Sequence, residues 1–312
     1  MQLITVSLLN GVFYGLLLFM LASGLTLIFS MMGVLNFAHG AFYMLGAYFA
    51  FQAGRWIGFW PALLIVPLVV GTLGAAVEHW GLRRVHRYGH VPELLFTFGL
   101  AFVVHEVVQA VWGRLPVNYP IPPSLSFPAF SVFSADFPAY RLFMMAISLA
   151  LFGVLRLVLT RTRIGLLVQA ALVQPDMLSA LGHNVPRIFA LVFGLGCGMA
   201  GLAGVIGGNA FVTEPAMAEW IGTIAFVIVV IGGLGSLTGA FVASLLVGIV
   251  QTFCVASSLT IGGLLGYVGA IPRTAYGDLL RISLANLAPL LPYALLVLTL
   301  AIRPRGLMGR RE

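Results

Sequence analysis

The chain has 312 residues, of which 61% are hydrophobic and only 8% charged, and its formal net charge is +7. Soluble domains carry about 25% charged residues, so this composition excludes a water-soluble globular protein and indicates a polytopic membrane protein. The basic surplus forms no basic face with interleaved aromatics on a soluble scaffold, which argues against a nucleic-acid binder; a positive-inside bias accounts for it.

Apolar runs near the roughly 20 residues needed to cross a bilayer predict about nine transmembrane helices, with eight to ten as the range. They fall near Leu3–Phe29, Phe37–Ala53, Trp56–Val77, Leu94–Trp112, Tyr140–Leu159, Ile188–Gly208, Trp220–Leu234, Leu237–Ala256 and Leu284–Ile302. The expected fold is all-α, with residues 1–312 forming a single transmembrane domain. No positive segment precedes the first run, so Met1–Phe29 reads as a retained helix and not as a cleaved signal.

The segment Gly33–Tyr48, GVLNFAHGAFYMLGAY, sets Asn36 and His39 inside an apolar stretch. Polar side chains at membrane depth are expensive and usually face a protein interior or a water-filled path. Two readings are open. Asn36 and His39 satisfy backbone groups freed where the chain breaks near Gly33 and Gly40, or they line a translocation path or its inner gate, together with Phe42 and Tyr43. Further on, Glu78 and His79 lie at a span boundary and call for no special role. His105, Glu106 and Gln109 form a second intramembrane polar cluster, suited to pairing with another helix or to a proton or substrate route.

The loop Gly113–Ala139 contains Pro116, Pro120, Pro122, Pro123, Pro128 and Pro138. Proline fixes φ and cannot donate a hydrogen bond, so an extended, semi-rigid backbone is expected, too short for a soluble catalytic domain. In the loop between Arg161 and Arg187, Ile164, Leu167, Val168, Ala171 and Leu172 recur at helical spacing. Pro175 suits the first turn of another short helix, Asp176 its positive end, and Gly182 its stop. This amphipathic element either lies at the lipid interface or docks a cytoplasmic subunit.

Ile188–Gly208 is rich in small residues, with Gly194 and Gly198, and Gly204 and Gly208, at i, i+4 spacing. Such ridges let helices approach closely in a membrane, either within the chain or between subunits. The stretch Ile231–Phe241, IGGLGSLTGAF, echoes the first motif: five of ten positions match between Gly33–Phe42 and Gly232–Phe241. Internal repeats with interrupted helices frame the substrate site of many transporters, which adds Ser236 and Thr238 to the path or gate candidates.

Arginine placement orients the spans. One set of loops holds Arg83, Arg84, Arg87, Arg156, Arg161, Arg163, Arg187, Arg303, Arg305, Arg310 and Arg311; the other holds Arg55, Arg114, Arg141, Arg273 and Arg281. The richer side is expected to be cytoplasmic, and with it the C-terminus. No lysine occurs, so the chain has no P-loop of the ordinary kind. Any ATP would be bound by partner subunits. Cys197 and Cys254 fit buried thiols, and no metal site is expected. No nucleophile–base pairing stands out, so the chain is not read as an enzyme.

These residues resemble a known family. NFAHGAFYMLGAY, RTRIG at Arg161–Gly165, LGHNVPRIFAL at Leu181–Leu191, GMAGLAGVIGG, FVIVVIGGLGSLTGA and the terminal RPRGLMG are similar, in this order, to permease subunits of ABC importers for branched-chain amino acids, of the H-type. The resemblance implies a bacterial inner-membrane complex with a second, related permease, two cytoplasmic ATPases and a periplasmic binding protein. It also implies a cytoplasmic coupling segment at Gln174, Pro175, Asp176, Leu181 and Gly182. Branched-chain or other neutral amino acids are the expected substrate; urea, short amides or other small organic solutes are the alternative within the class, and an ion-coupled secondary transporter is the alternative outside it. Two features depart from the family: Ala41 stands where many relatives have an acidic residue, and Ser257–Ser283 is longer than usual.

Overall fold

A computed structural model describes residues 2–132, 135–257, 260 and 283–309. The segment Ser257–Ser283, singled out above for its length, lies almost wholly outside the described residues, as do Arg310 and Arg311.

Among the described residues the architecture is helical apart from one hairpin and two isolated bridges. α1 (Gln2–Met32) is followed by α2 (His39–Ile57), α3 (Phe59–Val77), a π-helical turn (Glu78–Leu82), α4 (Arg83–His86) and α5 (His90–Trp112). The proline-rich loop holds a short antiparallel hairpin, β1 (Pro128–Val132) with β2 (Ala135–Pro138). Then come α6 (Ala139–Arg161), α7 (Arg163–Val173), α8 (Pro175–Ala180), α9 (Val185–Gly207), α10 (Met217–Gly232), α11 (Leu237–Ala256), α12 (Leu284–Leu287) and α13 (Leu291–Ile302).

Among the described residues, seven helical segments are long and apolar enough to cross a membrane. The other two of the nine expected spans are helices as well. α2 carries His39, Gln52 and Arg55 and falls below that level of apolarity, and α10 has only 16 residues. Both are largely buried by the rest of the chain, so neither needs the uniformly apolar surface that lipid demands.

α1 is apolar on every side, as suits a helix surrounded by protein, and 78% of its most apolar window is buried. Small residues set its neighbours. A Cβ on Gly15 would lie 2.8 Å from the Leu245 Cα of α11, and one on Gly248 would lie 2.8 Å from the Gly11 carbonyl. α9 packs by the same device: a Cβ on Gly194 would lie 2.8 Å from the Gly71 carbonyl of α3, and one on Gly198 would lie 2.9 Å from that of Pro67. Gly204 and Gly208 press on Ala47 of α2. The glycine ridges thus fit α9 against α2 and α3 of its own chain.

Helix ends are closed by identifiable partners. Tyr119, from the proline-rich loop, and Tyr140 of α6 donate to the Val205 and Ile206 carbonyls at 3.0 and 2.7 Å, in the last turn of α9. Burial pushes the Tyr119 hydroxyl well above its ordinary pKa, which keeps this donor protonated. At the other face, Leu307 and Met308 donate backbone N–H groups to the Ile231 and Gly232 carbonyls at 2.8 and 3.0 Å. The terminal RPRGLMG motif therefore satisfies carbonyls that the end of α10 leaves without helical partners.

Glu78, assigned no special role from sequence, is 2% exposed and opens the π-helical turn. Nearby, Glu93 of α5 is buried between His86, in close contact, and His90, at 3.4 Å. This corner tethers α4 to the start of α5.

Candidate functional site

α1 ends at Met32, yet α2 does not start beside that end. The His39 Nε2 lies 2.9 Å from the Leu21 carbonyl, eleven residues back along α1, or about 16 Å at 1.5 Å per residue. Residues 33–38 bridge this distance as non-helical chain, and six residues reach about 20 Å when extended. α2 therefore begins at mid-depth in the bundle. Gly33 makes the departure possible with φ +67°, a conformation that costs glycine little. Side chains then satisfy the freed backbone: the Asn36 Oδ1 accepts from the Ala38 N–H at 3.0 Å, and the Thr97 Oγ1 of α5 accepts from the Phe37 N–H at 3.3 Å.

The re-entrant segment forms one wall of a 360 Å³ cavity that α5 and α10 also line. Its two ends differ. The Phe37 ring stacks on Phe226 of α10, centroids 6.0 Å apart, and meets Phe98 of α5 edge-on at 6.4 Å. Phe98 in turn meets Phe102 at 4.9 Å. His105 lies two turns beyond Phe98 on α5, and Glu219 two turns before Phe226 on α10; both line the cavity, with Thr223 between Glu219 and Phe226. Two turns correspond to about 10 Å. The cavity thus has an aromatic end and a polar end.

The structure divides the residues singled out from sequence. Asn36 and His105 both line the cavity. His39 lies behind it, 2% exposed, bonded to α1 and packed against Gly24. Phe42 is buried against Phe193, and Tyr43 against Gly207. Ser236 and Thr238 are elsewhere: the Ser236 Oγ accepts from the Gly239 N–H at 3.1 Å and caps α11. The two copies of the sequence echo differ accordingly. The first is a long re-entrant break, the second a tight turn with Gly233 and Gly235 at φ +100° and +81°.

Gln109 pairs with His105 on α5 at 3.1 Å, while Glu106 projects outward, 68% exposed. Gln174 separates α7 from α8, and Gly182, at φ +85°, ends the α8 turn. Leu178 is buried with Ala171 and Val185, whereas Met177 and Leu181 are exposed. The side chains of Pro175 and Asp176 lie outside those described. Sequence reading missed Phe37, Phe98, Glu219 and Phe226. Only Glu219 left a signal, as the lone acidic residue in an apolar run.

A profile of the family described as branched-chain amino acid transport system / permease component matches residues 7–300. The chain belongs to this family. It is 27% identical over 319 residues to the high-affinity branched-chain amino acid transport system permease protein LivH of Salmonella typhimurium, covering 97% of this chain and 94% of that one. It is also 27% identical over 330 residues to the corresponding protein BraD of Pseudomonas aeruginosa, covering 98% and 95%. A probable branched-chain amino acid transport permease protein, LivH of Methanocaldococcus jannaschii, is 26% identical over 318 residues, covering 96% and 91%. In this permease, then, the broken α1–α2 junction and the cavity beside it belong to a multi-pass transport protein.

Proposed function

We propose that the chain is one permease subunit of an ATP-driven importer that carries branched-chain or other neutral amino acids across a bacterial inner membrane. The observation that carries this reading is the re-entrant segment 33–38, which opens α2 onto a cavity at mid-depth. Irregular backbone at membrane depth is tolerated where it is buried in protein or lines a cavity, and interrupted helices near the midplane frame the substrate sites of many transporters. The cavity's polar end and aromatic end suit a solute that is both charged and apolar.

A second, related permease covers the open side of this cavity. Support comes from α5, whose most apolar window is only 11% buried and whose Glu106 is exposed; a carboxylate facing lipid there is costly. Two cytoplasmic ATPases supply the energy, since the chain has no lysine for a P-loop. They engage α8 through Met177 and Leu181, and a periplasmic binding protein delivers substrate to the opposite face. The arginine-rich loops and the C-terminal clasp then lie in the cytoplasm. Nucleotide-bound partners shift access by binding one permease state more tightly than the other.

The test is reconstitution with the companion permease, the ATPases and the binding protein, followed by labelled-leucine uptake. Uptake that needs both ATP and the binding protein is expected. Uptake by this chain alone, driven by an ion gradient, would overturn the proposal.

A further inference from the structure

We infer that Glu219 is an ammonium anchor, and that the cavity between residues 35–37, α5 and α10 is a selective stopping point for zwitterionic amino acids within the permease. This rests on the importer reading and names the chemistry of its path.

Glu219 is exposed in the first turn of α10 and lines the cavity. Among the described residues it has no ion-pair partner. Thr223, His105 and Asn36 are the other polar residues of the cavity lining, and the remaining walls are apolar. A carboxylate bordered by hydrocarbon attracts a cation far more strongly than it would in water. A bare metal ion needs several oxygen or nitrogen ligands, and no cluster of three or more metal-binding side chains occurs among the described residues. A primary ammonium needs only an acceptor or two, which Glu219 and the Thr223 hydroxyl provide.

The rest of the cavity reads the rest of such a ligand. Phe102 and Phe98 lie one and two turns from His105 toward the aromatic end, where Phe37 and Phe226 close the floor. An aliphatic side chain anchored at Glu219 extends toward these rings. Ala41, in the first turn of α2, also lines the wall. The positive end of that helix favours a carboxylate, so the two charges of a zwitterion have separate, opposite partners. The order of elements also predicts discrimination: an amine without a carboxylate keeps only the Glu219 contact, and a carboxylic acid without an amine faces Glu219 as a like charge.

The experiment uses the assembled importer, both permeases and ATPases in lipid nanodiscs, without binding protein. Equilibrium binding of tritiated leucine is measured, with isoamylamine and 4-methylpentanoate as competitors. Saturable binding that unlabelled leucine displaces, and that neither singly charged analogue displaces at equal concentration, is expected. Glu219→Gln should weaken it at least tenfold, and Glu219→Asp should lie between. Unchanged affinity in Glu219→Gln would overturn the inference, as would a wild-type complex that transports leucine with its binding protein in proteoliposomes yet shows no saturable site in nanodiscs. Loss of the companion permease from the Glu219→Gln complex would assign Glu219 to the subunit interface instead and overturn it equally. Wild-type uptake after the same complex is reconstituted into proteoliposomes tests the importer reading separately.

Discussion

The packing of α9 against α2 can be tested with a single methyl group. A Cβ on Gly204 would lie 2.8 Å from the Ala47 nitrogen and 3.1 Å from the Tyr43 carbonyl carbon, whereas ordinary van der Waals contact begins at 3.4 Å. The atoms it meets are helix backbone, which cannot rotate away as a flexible side chain can. Overpacking a tight interior costs about 1–3 kcal/mol, and alanine's better helix propensity returns at most about 1 kcal/mol. Gly204→Ala should therefore destabilise the fold by about 1–2 kcal/mol. Gly153→Ala on α6 is the control, because a Cβ there meets nothing within 4 Å; it should be neutral or stabilising by up to about 1 kcal/mol. Cys197 is fully buried and reports unfolding when a thiol-reactive fluorophore reaches it, in a Cys254→Ser background that removes the more accessible thiol. At roughly 2–4 °C per kcal/mol, Gly204→Ala should melt several degrees below the parent. If Gly204→Ala melts at or above the parent while Gly153→Ala melts below it, the steric reasoning fails.

Other parts of the structure make their own predictions. Tyr140→Phe removes the 2.7 Å bond to the Ile206 carbonyl and leaves a buried acceptor, so the same labelling assay should show a loss of about 1–2 kcal/mol. Asn36→Ala deletes the acceptor for the Ala38 N–H at a cost of about 1 kcal/mol; Asn36→Ser, which keeps a side-chain oxygen, should recover most of it. Leu181→Arg, placed on an exposed turn beyond α8, should leave the chain inserted at normal abundance while lowering binding-protein-stimulated ATP hydrolysis several-fold; undiminished stimulation would remove α8 from the docking surface. Phe37→Ala takes the central ring from the aromatic floor and should let leucine leak from loaded proteoliposomes without ATP, whereas a leak rate equal to the parent's would deny the floor a gating role.

How far the sequence revealed the fold depended on which physical signal each element carries. Among the described residues, long apolar runs located the seven helices long and apolar enough to cross a membrane, and cap chemistry located small ones. Pro175 opens α8, and Gly182 ends it with φ +85°. The start of α2 was misplaced by two residues because Phe37 and Ala38 are apolar and read as membrane helix, although the backbone there is held open by Asn36 and Thr97. Thr97 comes from α5, sixty residues along the chain from Phe37, and no local pattern encodes such a partner. The proline-rich loop was expected to be extended; its pairing into β1 and β2 depends on a register that side-chain periodicity only weakly specifies.

The candidate site was less legible than the fold for a related reason. Intramembrane polarity marked Asn36, His39, His105 and Glu106 alike, yet a polar residue at membrane depth has two ways of being stable. It can satisfy backbone groups inside the bundle, or it can border a cavity. His39 takes the first, bonded to the Leu21 carbonyl; His105 takes the second, in the lining that also includes Glu219. Composition cannot separate these cases, because the same side chain serves in both. What separates them is where α1 releases the chain. Gly33 turns the backbone back into the bundle, Thr97 holds it there, and the space between α5 and α10 that a continuous second helix would have filled is left open. The cavity is a consequence of the break, and its lining was decided by whichever residues of α5 and α10 face it: phenylalanines at one end and a carboxylate at the other.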